Sequence, residues 1–218
     1  VLRDELHGHV NVFLNEKRFR GVAGQEITPE VQFTIAGVAC MLLLKKEPSY
    51  FPGFSSILVY PDTYEAPQIE HDGVVETHRR SRRAGESWHR GPIVLSWTNV
   101  VHGAANAGDG YNVVLHEFAH HLDGLDGGVE GVPPLSGRER RQTWYRVTEA
   151  EYLRLVGSAR RGEATLLDHY GATNRAEFFA VATECFFERP HKLRAAHRSL
   201  YEVLQSFYGQ DPAALLPG

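Results

Sequence analysis

Cysteine is nearly absent from this sequence: the two present, Cys40 and Cys185, each stand alone among apolar residues. They make neither a disulfide framework nor a CxxC metal site, and such usage fits a reducing compartment. Long apolar runs are missing as well. The longest, AGVACMLLL at 36–44, ends in Lys45-Lys46 and falls well short of the roughly 20 residues that cross a bilayer. No secretory leader pattern is visible at the start. Together these absences lead to the expectation of a cytoplasmic protein with no membrane partner. A basic excess is also lacking. Lys and Arg number 23 against 27 Asp and Glu, a net charge of -4, which argues against direct nucleic-acid binding. There is no internal repeat and no low-complexity tract. The glycine-rich HGAANAGDG at 102–110 has neither the lysine nor the preceding strand of a phosphate cradle.

What remains is an ordinary globular composition, 42% hydrophobic and 23% charged over 218 residues, with length enough for a substantial core. Apolar residues recur at helical spacing over 2–19 and 29–46, the second run opened by Thr28 as N-cap and Pro29 at the first helical position. Short β-type runs follow at SILVY (56–60), GVVETH (73–78) and PIVLSW (92–97), the last two separated by an arginine-rich loop. Helical signals return at about 111–123, 138–157, 174–188 and 191–208. Helices, a small sheet and helices again predict an α+β fold in one domain spanning residues 1–218. Its helical N-terminal part covers about 1–50, its sheet region about 54–100, and its remaining helices about 111–210.

The chemistry concentrates in VVLHEFAHHLDG, residues 113–124. At about 100° per residue, Leu115, Phe118, Ala119 and Leu122 share one side with Tyr111. His116 and His120, four apart, stack one turn above the other on a different side, so both imidazoles can reach one cation. Glu117 is offset by about 100° from His116, beside the metal position without occupying it, which suits a base acting on water. Gly124 supplies a helix stop. This is the HExxH pattern, two zinc-binding imidazoles and a glutamate base. His121 is expected to be a solvated neighbour.

A hydrolytic zinc site takes a third protein ligand, and two candidates stand in the sequence. Asp126 falls where a metzincin-type pattern places its last ligand, although Asp123 replaces the glycine that pattern requires. Glu177, in NRAEFFAVATECFFE, lies on a helix apolar nearly all round, where a buried carboxylate needs a partner. A capping box from Asn174 to Glu177 explains the same glutamate without any metal. Local sequence leaves these open. Glu184, two turns along the same face, is a candidate to support the site. His78, ahead of the arginine run 79–83, reads as a strand-end histidine, with a metal contact in a closed form as the alternative. The arginine run itself reads as solvated.

HEFAHHLD (116–123), followed by HYGATNRAEFFAVATECFF (169–187) and preceded by AGESWHRGPIVLSW (84–97), resembles the Mlc titration factor A family of zinc peptidases. The resemblance runs from about residue 50 to the C-terminus. It implies a zincin-like fold of the gluzincin type, with an active site similar to that of the anthrax lethal factor catalytic domain. It implies one Zn2+ per chain held by His116, His120 and Glu177, with Glu117 as base and Tyr170 as electrophilic helper. Asp123 then holds an imidazole or the helix end. Aminopeptidase-type activity on a peptide substrate is also implied. So is an alternative role, in which the protein sequesters a DNA-binding transcriptional repressor and catalysis is secondary.

Overall fold

A computed structural model describes residues 2–45, 49–62, 64–71, 76–83, 85–87 and 91–216, with side chains described outside 63–90. The chain opens with α1 (Leu2–Glu16), which buries Val10 and Phe13, and a short strand β1 (Arg18–Gly21). Helix α2 (Pro29–Met41) starts where its sequence says it should, the Thr28 hydroxyl accepting from Val31 N at 3.3 Å. Strands β2 (Ser56–Tyr60), β3 (Tyr64–His71), β4 (Glu76–Arg83), β5 (Gly85–Ser87) and β6 (Ile93–Ser96) follow. The rest is helical: α3 (Trp97–Ala105), α4 (Val113–Asp123), α5 (Arg138–Arg161), α6 (Arg175–Glu188), α7 (Pro190–Ala196), α8 (Arg198–Tyr208) and α9 (Pro212–Leu215).

The main sheet has the order β1-β2-β6-β5. β1 and β6 run parallel to β2, with Phe19 opposite Ile57 and Val59 opposite Leu95, while β5 is antiparallel to β6. A parallel pair needs a long crossover, and α2 lies in the one between β1 and β2. β6 is buried at all four residues and β2 alternates, Ile57 and Val59 facing the core. β3 and β4 form a separate antiparallel pair. Helices and a small mixed sheet make this an α+β, zincin-like fold.

The core joins the sheet to the helices. Phe13 of α1, Phe51, Phe54 and Phe118 of α4 form a cluster of edge-to-face and tilted rings, with Phe51 and Phe118 centroids 4.7 Å apart. Lys17 is buried beneath it, its ammonium donating to the carbonyls of Phe51 (2.8 Å) and Phe54 (3.0 Å). A second aromatic cluster, Trp144, Phe179 and Phe207, ties α5 to α6 and α8. Every residue of α6 from Phe178 to Glu188 is buried, as its nearly all-round apolar sequence requires.

The elements differ from their sequence signals in a few places. β1 emerges within the first predicted helix, and α2 ends at Met41 with turns over 42–45. The stretch 79–83, expected to be a loop, belongs to β4; residues 73–75 of the expected strand 73–78 lie outside the described residues. Trp97, expected to end a strand, begins α3, because the Ser96 side chain caps Asn99 N. α4 begins at Val113, so Tyr111 lies outside it and is 39% exposed. The expected helix 191–208 is two helices, broken at His197, whose φ and ψ are -136° and 57° and whose Nδ1 lies 2.8 Å from Glu151. Among the described residues, no helix is long and apolar enough to cross a membrane.

Candidate metal centre

α4 carries the histidines, and its ends are built from its own sequence. The Asn112 side chain accepts from Leu115 N at 3.2 Å, capping the start. After Asp123 the chain tightens into a 3-10 turn, Gly124–Asp126, that ends on Gly127 in the left-handed conformation (φ 103°). Leu115, Phe118, Ala119 and Leu122 are buried, which turns His116 and His120 toward α6. Their rings are 4.8 Å apart, centroid to centroid.

α6 brings Glu177 to them. Glu177 Oε2 lies 3.0 Å from His116 Nε2 and 3.2 Å from His120 Nε2, and the two nitrogens are 3.2 Å apart. Only half of the expected capping box forms: Asn174 Oδ1 accepts from Glu177 N at 2.9 Å, a bond that any residue other than proline at 177 would supply. The carboxylate turns to the histidines and not back to the Asn174 N–H, so the cap does not account for a glutamate at this position.

The donor set decides what this triangle can hold. His116 Nδ1 is 2.7 Å from Glu184 Oε1, and the other oxygen of Glu184 accepts from Asn112 N. An ionised carboxylate only accepts, so Nδ1 carries a hydrogen, and whenever the ring is neutral its Nε2 turns a lone pair inward. A second imidazole nitrogen and a carboxylate oxygen face that lone pair. Three acceptors at this spacing call for a cation. Four ligands at about 2.0–2.1 Å around zinc stand about 3.3–3.4 Å apart along the edges of a tetrahedron, and the observed triangle of 3.0, 3.2 and 3.2 Å is slightly tighter. Among the described residues, His116, His120 and Glu177 are the group of His, Cys, Asp and Glu side chains placed to hold a metal ion. Asp126 is exposed and outside it.

The same electrostatics act on protons. Burial favours neutral His116, but hydrogen bonds to Glu177 and Glu184 outweigh it and raise the imidazole well above its ordinary value. Burial pushes Glu177 upward, yet His116 and His120 hold its carboxyl far below the usual carboxylate range. Glu184 is raised, burial exceeding the help it receives from His116.

The remaining expected residues surround the cluster. Glu117 is buried at 4% exposure, and its charge contributes to raising His116. Tyr170 sits on a 3-10 turn, His169–Ala172, whose start is set by Asp168 Oδ1 accepting from Tyr170 N at 2.7 Å. The residue is 55% exposed and its ring lies 5.9 Å from that of His116. Asp123 holds the chain beyond the helix, not an imidazole: its two oxygens accept from Gly131 N (2.7 Å) and Val132 N (2.6 Å). His121 is packed, not solvated, edge-on against Phe54 at 4.8 Å. The side chain of His78 lies outside the described residues.

The sequence signals missed Asn112 and Glu188. Glu188 Oε1 accepts from Asn112 Nδ2 (3.0 Å) and Oε2 from Gly110 N (3.1 Å). No local pattern joins residues that far apart.

Comparison with known proteins points to a metallopeptidase family. A family model described as glucose-regulated metallo-peptidase M90 matches residues 1–209. An uncharacterized protein of Synechocystis sp. is 41% identical over 212 residues, 96% of this chain and 77% of its own. Mlc titration factor A of Yersinia pestis and that of Yersinia pseudotuberculosis are each 32% identical over 210 residues, 93% of this chain and 76% of theirs.

Proposed function

This chain belongs to the glucose-regulated metallo-peptidase M90 family, and on that footing we propose that it is a zinc-dependent peptidase of aminopeptidase type, folded as one domain and acting in the cytoplasm. The observation that carries the reading is the triangle of His116 Nε2, His120 Nε2 and Glu177 Oε2, three inward acceptors at 3.0–3.2 Å. These three would hold the ion. Zinc bound there supplies Lewis acidity, lowering the pKa of water and polarising a carbonyl.

The chain's own groups supply the rest. Glu117, next to His116 on α4, takes the proton of the attacking water and passes it to the departing amine. Tyr170, exposed beside His116, donates its phenolic hydrogen to the carbonyl oxygen as negative charge builds there. Glu184 keeps the His116 ring in the tautomer that presents Nε2.

The experiment is metal analysis with peptidase assay on amino-acid p-nitroanilides. About one zinc per chain is expected, with activity lost on chelation and restored by zinc. Glu117→Gln should keep zinc and lose turnover, Glu177→Ala should lose zinc, and Asp126→Ala should change neither. Metal-free protein that hydrolyses as fast as loaded protein would overturn the reading.

A second role is favoured by the relatives named Mlc titration factor A. That name describes those proteins as titrating Mlc; for this chain the corresponding partner is a DNA-binding transcriptional repressor. Repressor capture in a pull-down should survive Glu117→Gln, because surface complementarity needs no proton acceptor.

A further inference from the structure

α6 is buried along most of its length, yet two of its buried side chains, Glu184 and Glu188, are carboxylates one turn apart. Like charges at that spacing repel, and burial makes each costly unless donors meet it. Both reach to the same residue. Glu184 accepts from the backbone N–H of Asn112 and from His116 Nδ1. Glu188 accepts from Asn112 Nδ2 and from Gly110 N. Asn112 is thus held at its backbone and at its side chain while its Oδ1 still caps Leu115 N, and its carbonyl accepts from His116 N at 3.0 Å.

Little slack surrounds this grip. A Cβ on Gly103 of α3 would stand 3.1 Å from Asn112, and one on Gly110 would meet the Arg189 side chain at 2.9 Å. A shift of Asn112 therefore moves the first turn of α4, and His116 is bonded to that turn.

We infer that Glu188 is a positioning residue of the metal centre: through Asn112 its carboxylate fixes the first turn of α4 and with it the aim of His116. This rests on the reading of His116, His120 and Glu177 as a zinc site. Stability alone is a poor account of the residue. Burial pushes the Glu188 carboxyl up to about 7 despite the hydrogen bonds from Asn112 and Gly110, with Asp109 and Glu184 adding repulsion, so the ionised side chain is a net cost to folding.

The test is zinc affinity by chelator competition, read beside the thermal stability of zinc-free protein. In Glu188→Gln the new amide can serve Gly110 or accept from Asn112, but not both, and its N–H groups face the Asn112 amide. Zinc affinity should fall about tenfold, the low end for loss of an outer partner, while the zinc-free protein melts no lower than wild type. Adding Asn112→Asp restores the bond with donor and acceptor exchanged. The amide at position 188 then donates to the new carboxylate at position 112 and accepts from Gly110 N, and that carboxylate still caps the helix. The double variant should return to within about twofold of wild type, the cycle isolating the pair.

Wild-type affinity in Glu188→Gln, or no recovery in the double variant, overturns the inference. If Glu188→Gln cannot be purified, Asn112→Ser reads the same bond, since its hydroxyl keeps the cap and only the donor to Glu188 is lost; the same tenfold loss is expected, and undiminished affinity overturns it. A wild-type chain that binds no zinc sinks both this inference and the proposed function, whereas normal wild-type binding with an indifferent Glu188 sinks this inference alone.

Discussion

Glu184 Oε1 stands 2.7 Å from Nδ1 of His116, while Glu177 Oε2 stands 3.0 Å from Nε2 of the same ring. One imidazole thus stands between a carboxylate that accepts from its Nδ1 and another whose oxygen faces its Nε2 across the place for a cation. Replacing Glu184 by Gln removes the charge that sets the tautomer. Zinc affinity should fall by about 10–100-fold, the range for loss of such partners, measured by competition with a chromogenic chelator. Unchanged affinity would show that the ring needs no such anchor.

Tyr170→Phe deletes only a hydroxyl from a residue that is 55% exposed, so packing should hardly change. If the phenol stabilises the developing oxyanion, kcat should drop by about 10²–10³ with zinc content and KM nearly constant. Steady-state kinetics on a p-nitroanilide decide it; an unaltered kcat removes Tyr170 from the mechanism.

Gly131 has φ +76°, and a Cβ there would come 2.3 Å from the Arg175 carbonyl oxygen. Neither the conformation nor the clash with backbone leaves room for alanine. Gly131→Ala should cost more than about 2 kcal/mol, read from urea unfolding. Because Arg175 begins α6 two residues before Glu177, weaker zinc binding should accompany the loss. A fully stable Gly131→Ala protein would contradict the packing described.

The Glu188 carboxyl is raised from 4.5 to about 7, chiefly by burial. A raised acid binds its proton more tightly in the folded chain, so its contribution to stability is full below about pH 4.5 and is lost as pH rises through about 7. Relative to Glu188→Gln, the zinc-free wild type should therefore lose stability between those limits, by on the order of 2 kcal/mol after allowance for solvent screening. Urea titrations of both proteins from pH 4.5 to 8 measure this. Parallel curves would mean that Glu188 is not perturbed.

The metal helix was legible because its chemistry is local: His116, Glu117 and His120 fall within one and a half turns, beside an apolar face that stops at Gly124. Glu177 was only half legible. Zinc coordination asks for a third ligand without naming it, and a capping box with Asn174 accounts for a glutamate there as well; in the structure only the Glu177 backbone N–H joins the cap, while its carboxylate faces the imidazoles. Other elements hid for reasons of packing. β1 is four residues, three of them exposed, and only its pairing with β2 makes it a strand. α3 was masked by its glycine-rich end, where Gly103 serves close approach to Asn112. The break at His197 has no glycine or proline to mark it. The links from α6 back to Asn112 span 72 and 76 residues, and no periodicity encodes such a distance.

The triangle also has an order in time. His116 and His120 are synthesised together, but Glu177 comes 57 residues after His120, and it reaches the imidazoles only once α6 has packed against α4. A nascent chain that stops short of α6 offers two imidazoles and no carboxylate, a fragment without the affinity of the closed set. On the zinc reading, ion capture therefore waits for the later helices, and a half-made chain emerging from the ribosome carries no edge with which to cut its neighbours.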